Sequence, residues 1–545
     1  MGRLLRAAVC LLVLAGLALP VGAFELETPF FSGKRVMVLV PHQDDELNLA
    51  GGLLEQYTGA GSRVFLVYAT NGDYNGLADL RSREALAAAE SVGIPAEDVI
   101  YLGYGNQWQP QGTQKHLYFS DDGGRVWTSH FGAAATYGTD AIAPWRESAY
   151  TRDNFLRDLT DLILTLRPDV IYCSDYDAHH DHMALDLFFE EAMGNILKAG
   201  TDYRPTVYKG FCYGTAWYAP ADFLEGENLG STVHPDWENW DRLGICYHWD
   251  SRVRLPISGD DLSRSLPQTR LYRSVRLFAS QKGHRFAESM LNGDKVFWER
   301  RTDSLLYRAE FLGDGEIVTV WNDFKLKDSR DFSALVNTGV RSAGTVTVTL
   351  PEPAVMDTLR LYAANADSVR AGYLEFPDGT RVDFGPLDPG GTDISFPARA
   401  VETFRLCLTQ GDDLGLTEIE GYLGAPPAQP RLLMAADENG DFVYDYRMPP
   451  DGAMDFTLYS YPAGTGWADV TVTMTGQGEW SLTEGVLRVL CPPGKTAAFT
   501  VTAGDGVSTT FTVSNPSGKV RRLSALWSRI TRDAAIALDD WLCAQ

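Results

Sequence analysis

Short, unbroken apolar runs alternate with helical patterns over the first part of this chain, and that alternation limits its fold more than any other feature. Val36–Val40, Val64–Ala69, Val99–Leu102 and Val170–Cys173 are apolar throughout and too short for helices. They lack the alternating polarity of a half-exposed strand. Leu47–Tyr57, Ala78–Val92, Phe155–Leu166 and Met183–Leu197 repeat apolar residues at helical spacing. Strands buried on both faces and joined by helices predict a parallel sheet covered on both sides. In such sheets ligands bind beyond the C-terminal ends of the strands. Pro41–Glu46, Thr70–Asp73 and His179–His182 fall at those ends, so three polar loops gather on one rim.

Two of these loops have metal-binding chemistry: Pro41-His42-Gln43-Asp44-Asp45-Glu46 and His179-His180-Asp181-His182. A catalytic zinc takes three protein ligands and keeps a position for water. His42 and Asp45 can converge on one ion across a strand-to-helix turn, and His182 or His179 can supply the further nitrogen. Binding lowers the pKa of a metal-bound water to about 7, and a nearby carboxylate can then take its proton. Asp44 adjoins a ligand without being needed for coordination, which suits that role. The remaining imidazole can stabilise an oxyanion and protonate a leaving amine. Iron(II) fits a His, His, Asp donor set as well as zinc does. Glu46 has the weakest claim, as a helix-start residue or a brace for a neighbour. A solvated helix start explains one acidic cluster, and surface chance explains one histidine cluster. Neither explains both on one rim.

These two motifs resemble the paired signatures of the PIG-L (LmbE-like) deacetylases, usually His-Pro-Asp-Asp-Glu and His-Pro-Asp-His. Thr70-Asn71-Gly72-Asp73, Arg83-Glu84, Ser280-Gln281 and Phe297-Trp298-Glu299-Arg300-Arg301 extend the resemblance over roughly residues 33–305. It implies a hydrolase with one zinc per chain, removing acetyl from an N-acetylglucosamine-type group. By motif position, His42, Asp45 and His182 match the zinc ligands and Asp44 the general base. His179 matches the oxyanion-stabilising or acid histidine, with Asp181 as its orienting partner. Arg83, Asn71 and Asp73 match substrate-binding positions. Gln43 and His180 replace the usual prolines.

Residues 105–150 and 213–250 interrupt the pattern with long Gly-, Tyr- and Trp-rich insertions, which read as lids or binding loops. Trp108, Trp127, Tyr137, Trp145, Trp217, Trp237 and Trp240 either stack on sugar faces or pack the insertions onto the sheet. After Phe311 the strands alternate polar and apolar residues, as in Thr345–Leu350, with turn clusters between them, the pattern of antiparallel sandwiches. The fold class predicted is α/β, a Rossmann-like mostly parallel sheet with helices on both faces, followed by two all-β sandwich domains. The first β unit resembles galactose-binding-like jelly rolls through Ser333–Gly339 and Thr417–Tyr422. The second is similar to immunoglobulin-like modules.

Arg3, Arg6 and the apolar stretch Ala7–Leu19 read as a secretory signal peptide cleaved after Ala23, placing the protein outside the cytoplasm as a secreted or cell-surface molecule. No later stretch is long and apolar enough to span a membrane. The expected divisions are 1–23 signal peptide, 24–312 deacetylase-like domain, 313–424 and 425–516 β sandwiches, and 517–545 an amphipathic helix. That helix either docks on the body or lies on a membrane surface, where Arg521, Arg522, Arg529 and Arg532 would favour contact. A net charge of −25 argues against nucleic acid as a partner. The predicted partner is a glycan, with the β domains as surface-glycan contacts or spacers. The rivals are a non-catalytic glycan-binding protein and a zinc amidohydrolase for another acylated amine.

Overall fold

The computed structural model describes residues 29–106, 116–129, 131–177, 179–212, 247–248, 251–257, 266–285, 294–326, 341–425, 431–438, 440, 442, 445–462 and 467–544. The signal-peptide segment, Trp108, Trp217, Trp237, Trp240 and Ser333–Gly339 lie outside the described residues.

Strands β1 (Arg35–Val40), β2 (Arg63–Thr70), β3 (Val99–Tyr104), β4 (Val170–Ser174), β5 (Thr206–Gly210), β6 (Val253–Pro256) and β7 (Asp294–Arg300) form one sheet. Their order is β3-β2-β1-β4-β5-β7-β6. The first five run parallel, β7 pairs antiparallel with β5, and β6 antiparallel with β7. Strand order reverses between β1 and β4. The chain leaves these two neighbours to opposite sides of the sheet, which opens a crevice at their C-terminal ends.

The helices are α1 (Asp45–Ala50), α2 (Leu53–Gly59), α3 (Ala78–Ser91), α4 (Arg152–Leu166), α5 (His180–Lys198), α6 (Arg270–Val275) and α7 (Gly518–Cys543). They cover both faces. Val36, Val38 and Val40 pack with Leu47, Leu53, Ala85 and Leu271 on one side. Met37 and Leu39 pack with Leu159, Leu162, Leu185 and Phe188 on the other. The period-2 geometry of a strand therefore divides an all-apolar sequence between two cores.

The sequence predicts a single helix over Leu47–Tyr57, but the structure breaks it at Gly51-Gly52. Gly52 has φ +84°, and a Cβ on Gly51 would meet Leu47 O at 2.5 Å and Leu271 Cδ1 at 2.6 Å. Glycine is required there because α6 packs onto the break.

Antiparallel β structure follows. An eight-stranded sheet is built around two 19-residue strands, Thr345–Ala363 and Thr392–Gln410, paired antiparallel with two register shifts. Its strand Glu310–Gly313 pairs with Val346–Thr349, so this sheet begins before the boundary expected at 312. Beyond it, two four-stranded sheets enclose a core containing Phe456, Leu487, Val489, Phe499 and Phe511. Leu432 and Met434 of this last unit join the same apolar core as β1. Tyr461 and Tyr208 share a hydroxyl hydrogen bond of 3.0 Å across that contact.

Helix α7 docks on the α/β domain. Ala535 is buried, Asp539 accepts from Tyr272 and Arg276, and Asp540 pairs with His284 and Arg285. Among the described residues, no helix is long and apolar enough to cross a membrane, and Cys173, Cys212, Cys407, Cys491 and Cys543 are free thiols.

Candidate metal and catalytic site

The crevice between β1 and β4 is where the two motifs meet. Pro41 O accepts from both Thr70 N at 3.0 Å and Thr70 Oγ1 at 2.9 Å, which fixes the exit of β1 against that of β2. Gln43 is fully buried and donates through Nε2 to Thr70 O at 3.1 Å. Its carbonyl side fits only because residue 72 is glycine, where a Cβ would lie 2.0 Å from Gln43 Oε1. The pairing of Gln43 with Gly72 explains why the third loop belongs to the site without touching its centre. Asp44 then turns the chain through φ +101° and caps α1 with its carbonyl, which accepts from Leu47 N. A non-glycine residue there stores backbone strain, a recurrent feature of functional turns.

The geometry centres on Asp45. Its Oδ2 lies 3.2 Å from His42 Nδ1 and 3.1 Å from His182 Nε2. Each ring is held from behind by another carboxylate. His42 Nε2 meets Asp181 Oδ2 at 3.0 Å, and His182 Nδ1 meets Asp177 Oδ2 at 2.8 Å. When the outer nitrogens donate to these carboxylates, the inner nitrogens are left to offer lone pairs to an ion beside Asp45. Two imidazole nitrogens and a carboxylate oxygen thus converge in a buried place, where positive charge, from an ion or from protons on the rings, balances Asp45. Ligands about 2.0–2.1 Å from a tetrahedral zinc stand about 3.3 Å from one another, close to both observed separations. Asp45 Oδ1 is buried without a hydrogen-bond partner, as befits an oxygen reserved for an ion. The residues present therefore fit a divalent metal.

The electrostatics agree. Burial opposes the charged ring of His42, yet Asp181 and Asp45 more than offset it and raise its pKa. Burial likewise opposes charge on His182, and Asp177 and Asp45 hold its pKa well above the ordinary value. Burial works to raise the Asp45 pKa, but His182 and His42 drive it well below the carboxylate range. Without metal, protons supply the positive charge this centre requires.

His179 caps α5. Its Nδ1 accepts from Asp181 N at 3.1 Å, so the neutral ring carries its proton on Nε2. Burial first, then the nearby His42 and His182, push its pKa down to about 2 and keep it neutral. Imidazole nitrogens of His42, His179 and His182 lie within 4.8 Å of one another. A second close group joins Asp45 and His182 to Cys212.

Asp44 is the one carboxyl of its motif that is not fully buried, with its side chain 23% exposed. Burial raises its pKa to about 7, against the pull of Arg81. Glu46 accepts from Asp44 N at 3.0 Å, and burial, with the adjacent Asp44, raises its pKa to about 8. Glu46 is thus a brace for the Asp44 turn.

The other expected site residues sit as follows. Arg83 is exposed on α3; the arginine at the site is Arg81, buried at 8% exposure, donating to Gln43 O at 2.7 Å and lying 3.8 Å from Asp44. On a helix, residues two apart point to different faces, so only one of the two could turn inward. The Asp181 carboxylate engages His42 and His116 (Nε2–Oδ1 3.1 Å), and its backbone N–H donates to His179 Nδ1. Asn71 and Asp73 are buried braces. Asn71 donates to Tyr137 O at 2.8 Å, and Asp73 accepts from Asn106 N and from Tyr137 OH. The sequence reading missed Arg81, His116 and Asp177. Asp177 follows β4 closely, and its place at a strand end was the signal available. His116 sits in an insertion, where nothing local marked it.

Of the aromatic residues in the described insertions, Trp127 donates to Ser120 Oγ at 2.9 Å, and Trp127, Tyr137 and Trp145 pack against the α4–α5 core.

Residues 37–193 match the PIG-L family, described as GlcNAc-PI de-N-acetylase. This chain carries a PIG-L domain. No curated protein matches it. Among solved structures, it is similar to the N,N'-diacetylchitobiose deacetylase of Pyrococcus horikoshii at 19% identity, with 34% of this chain and 63% of that one covered and a TM-score of 0.23. The chain thus spans less than two thirds of that enzyme. It is also similar to the 4-carboxy-2-hydroxymuconate hydratase of Pseudomonas putida (13% identity, 49% and 95% covered, TM-score 0.27). A family 32 carbohydrate-binding module of Streptococcus pneumoniae EndoD matches at 14% identity, covering 15% and 69%, with a TM-score of 0.14.

Proposed function

We propose that this protein is a secreted, zinc-dependent deacetylase that hydrolyses the N-acetyl group of an N-acetylglucosamine-type sugar in an external glycan. The observation that carries the reading is the convergence of His42, Asp45 and His182, each ring backed by its own carboxylate, inside the PIG-L match. His42 Nδ1, Asp45 and His182 Nε2 would hold the ion, with iron(II) the alternative occupant. When bound, such an ion lowers the pKa of its water and polarises an amide carbonyl.

The chain's own residues supply the rest. Asp44, partly exposed and with a pKa near 7, is poised between the two protonation states that a base and later acid must visit. It takes a proton from the attacking water. It returns one to the nitrogen as the C–N bond breaks, leaving acetate and a free amine. His179, neutral and protonated on Nε2, donates to the oxygen that becomes negative. Arg81 holds the Asp44 turn and keeps the carboxyl from titrating higher still. Asp181 and Asp177 fix the ring orientations. The β units space the catalytic domain from a surface or bind its glycan.

The test is acetate release across a panel of N-acetylglucosamine oligomers and other acylated amines, measured with metal bound. Release from N-acetyl-hexosamines supports the reading. Release only from other acylated amines would move the protein to a different substrate class. No release from any member, with glycan binding intact, would favour a non-catalytic glycan-binding role.

A further inference from the structure

The two rings of the metal centre are braced from different parts of the chain. Asp177, behind His182, is held at the sheet rim by the backbone N–H groups of His179 and Cys212. Asp181, behind His42, draws a donor from the 105–150 insertion. His116 points Nε2 at Asp181 Oδ1, 3.1 Å away, while Asp181 Oδ2 faces His42 Nε2 at 3.0 Å. The side chains of His116 and Asp181 are 10% and 3% exposed.

The other nitrogen of His116 settles which way this bond runs. Nδ1 accepts from Tyr118 N at 3.2 Å and caps the short turn Leu117–Phe119. A neutral ring whose Nδ1 accepts carries its proton on Nε2, so His116 donates and Asp181 accepts. The turn has anchors of its own. Leu117 and Tyr118 are buried, and Arg152 of α4 donates to Tyr118 O at 2.9 Å, lies over the Tyr118 ring and pairs with Glu191 of α5. The N–H aimed at Asp181 is therefore in place before an ion binds, and no ordering cost falls on the binding step. Leu117, Phe155, Ala184, Leu185 and Phe188 line the cavity beside this pair. Among such apolar walls a hydrogen bond to a carboxylate is strong, and water does not readily replace it.

We infer that His116 is a positioning residue for the metal: acting through Asp181, it fixes the His42 ring and raises the affinity of the centre for its ion. The inference rests on an ion held by His42, Asp45 and His182. It makes the insertion a part of the metal centre.

Two substitutions separate the bond to Asp181 from the cap on the turn. His116→Asn keeps a carbonyl near the Nδ1 position, a good cap, and loses the reach to Asp181. His116→Gln keeps an N–H near the Nε2 position. Zinc affinity of the full chain is read by competition with a chromophoric chelator, without substrate, so the result does not depend on which acylated amine is cut. The Asn variant should bind zinc about tenfold more weakly, and the Gln variant within about threefold of the wild type. Cobalt(II) in place of zinc should show an altered visible spectrum in the Asn variant alone. In an Asp181→Ala background His116→Asn should add no further loss, because its route to the ion is gone. Unchanged affinity in the Asn variant, equal losses in the Asn and Gln variants, or a loss that persists in the Asp181→Ala background would each overturn the inference. Weaker binding by the Gln variant alone leaves His116 only its cap and overturns it too. A wild type that takes up no zinc overturns the metal reading itself, and this inference with it.

Discussion

The guanidinium of Arg81 stands 3.8 Å from the Asp44 carboxylate, inside a fold where Arg83, two residues on, faces solvent. Arg81 lowers an Asp44 pKa that burial has raised to about 7. Replacing it with methionine removes that pull, so the alkaline-rising limb of the pH–rate profile should move up by about one unit. Activity at neutral pH should fall by about fivefold. Arg83→Met should change neither. Equal effects from the two substitutions would return the role to Arg83.

Asp177 meets the far side of the His182 ring at 2.8 Å and also accepts from the backbone N–H groups of His179 and Cys212. Asp177→Asn keeps the shape and loses the charge. It should weaken metal affinity about 10- to 100-fold, read by competition with a chromophoric chelator. At saturating metal, most of the activity should return, as expected for a residue that positions a ligand.

Gly72 has φ +63° and would carry a Cβ 2.0 Å from Gln43 Oε1. Gly72→Ala should destabilise the domain by about 1–3 kcal/mol through strain and the displaced glutamine. Adding Gln43→Ala, which removes the clashing group, should recover part of that loss in a denaturant titration.

Metal-free protein should become less stable as pH rises from about 5 to 8. Asp44 and Glu46 titrate near 7 and 8 in the folded chain, and near 4 when unfolded. Between those values the folded state holds protons that the unfolded state has released, so stability falls with pH. The raised pKa values of His42 and His182 act in the same direction. The depressed pKa values of Asp45 and Asp181 act only in acid, where stability is lost as pH falls. Thermal melts across this window, with and without added zinc, check the slope. Zinc should flatten it, because an ion replaces the protons at the centre.

The sheet was legible in the sequence because Val36–Val40 and Val170–Cys173 are apolar on both faces, a pattern with few solutions. The rim clusters were legible because those strands aim their C-terminal loops at one crevice. What escaped the sequence depends on contacts across space. The break at Gly51-Gly52 follows from α6 lying against it, and α6 is more than two hundred residues away in the chain. Arg81 and Arg83 are chemically alike, and only the phase of α3 separates them. The partner of Asp73, Tyr137, comes from the insertion and could not be read from local sequence. The membrane-surface reading of α7 weighed its basic residues. The docked reading is the one the structure bears out, with Ala535 and Asp539 buried against the α/β domain.

The central claim is a single metal centre served by Asp44 as base. The most direct measurement is metal stoichiometry and acetate release on an N-acetylglucosamine oligomer, for the wild type and Asp44→Asn side by side. The expected result is one zinc per chain in both proteins with similar affinity, and activity that a chelator abolishes and zinc restores in the wild type. The variant should be slower by about 10²–10⁴-fold. Undiminished release from metal-free wild type, or equal rates in the two proteins, would contradict the account.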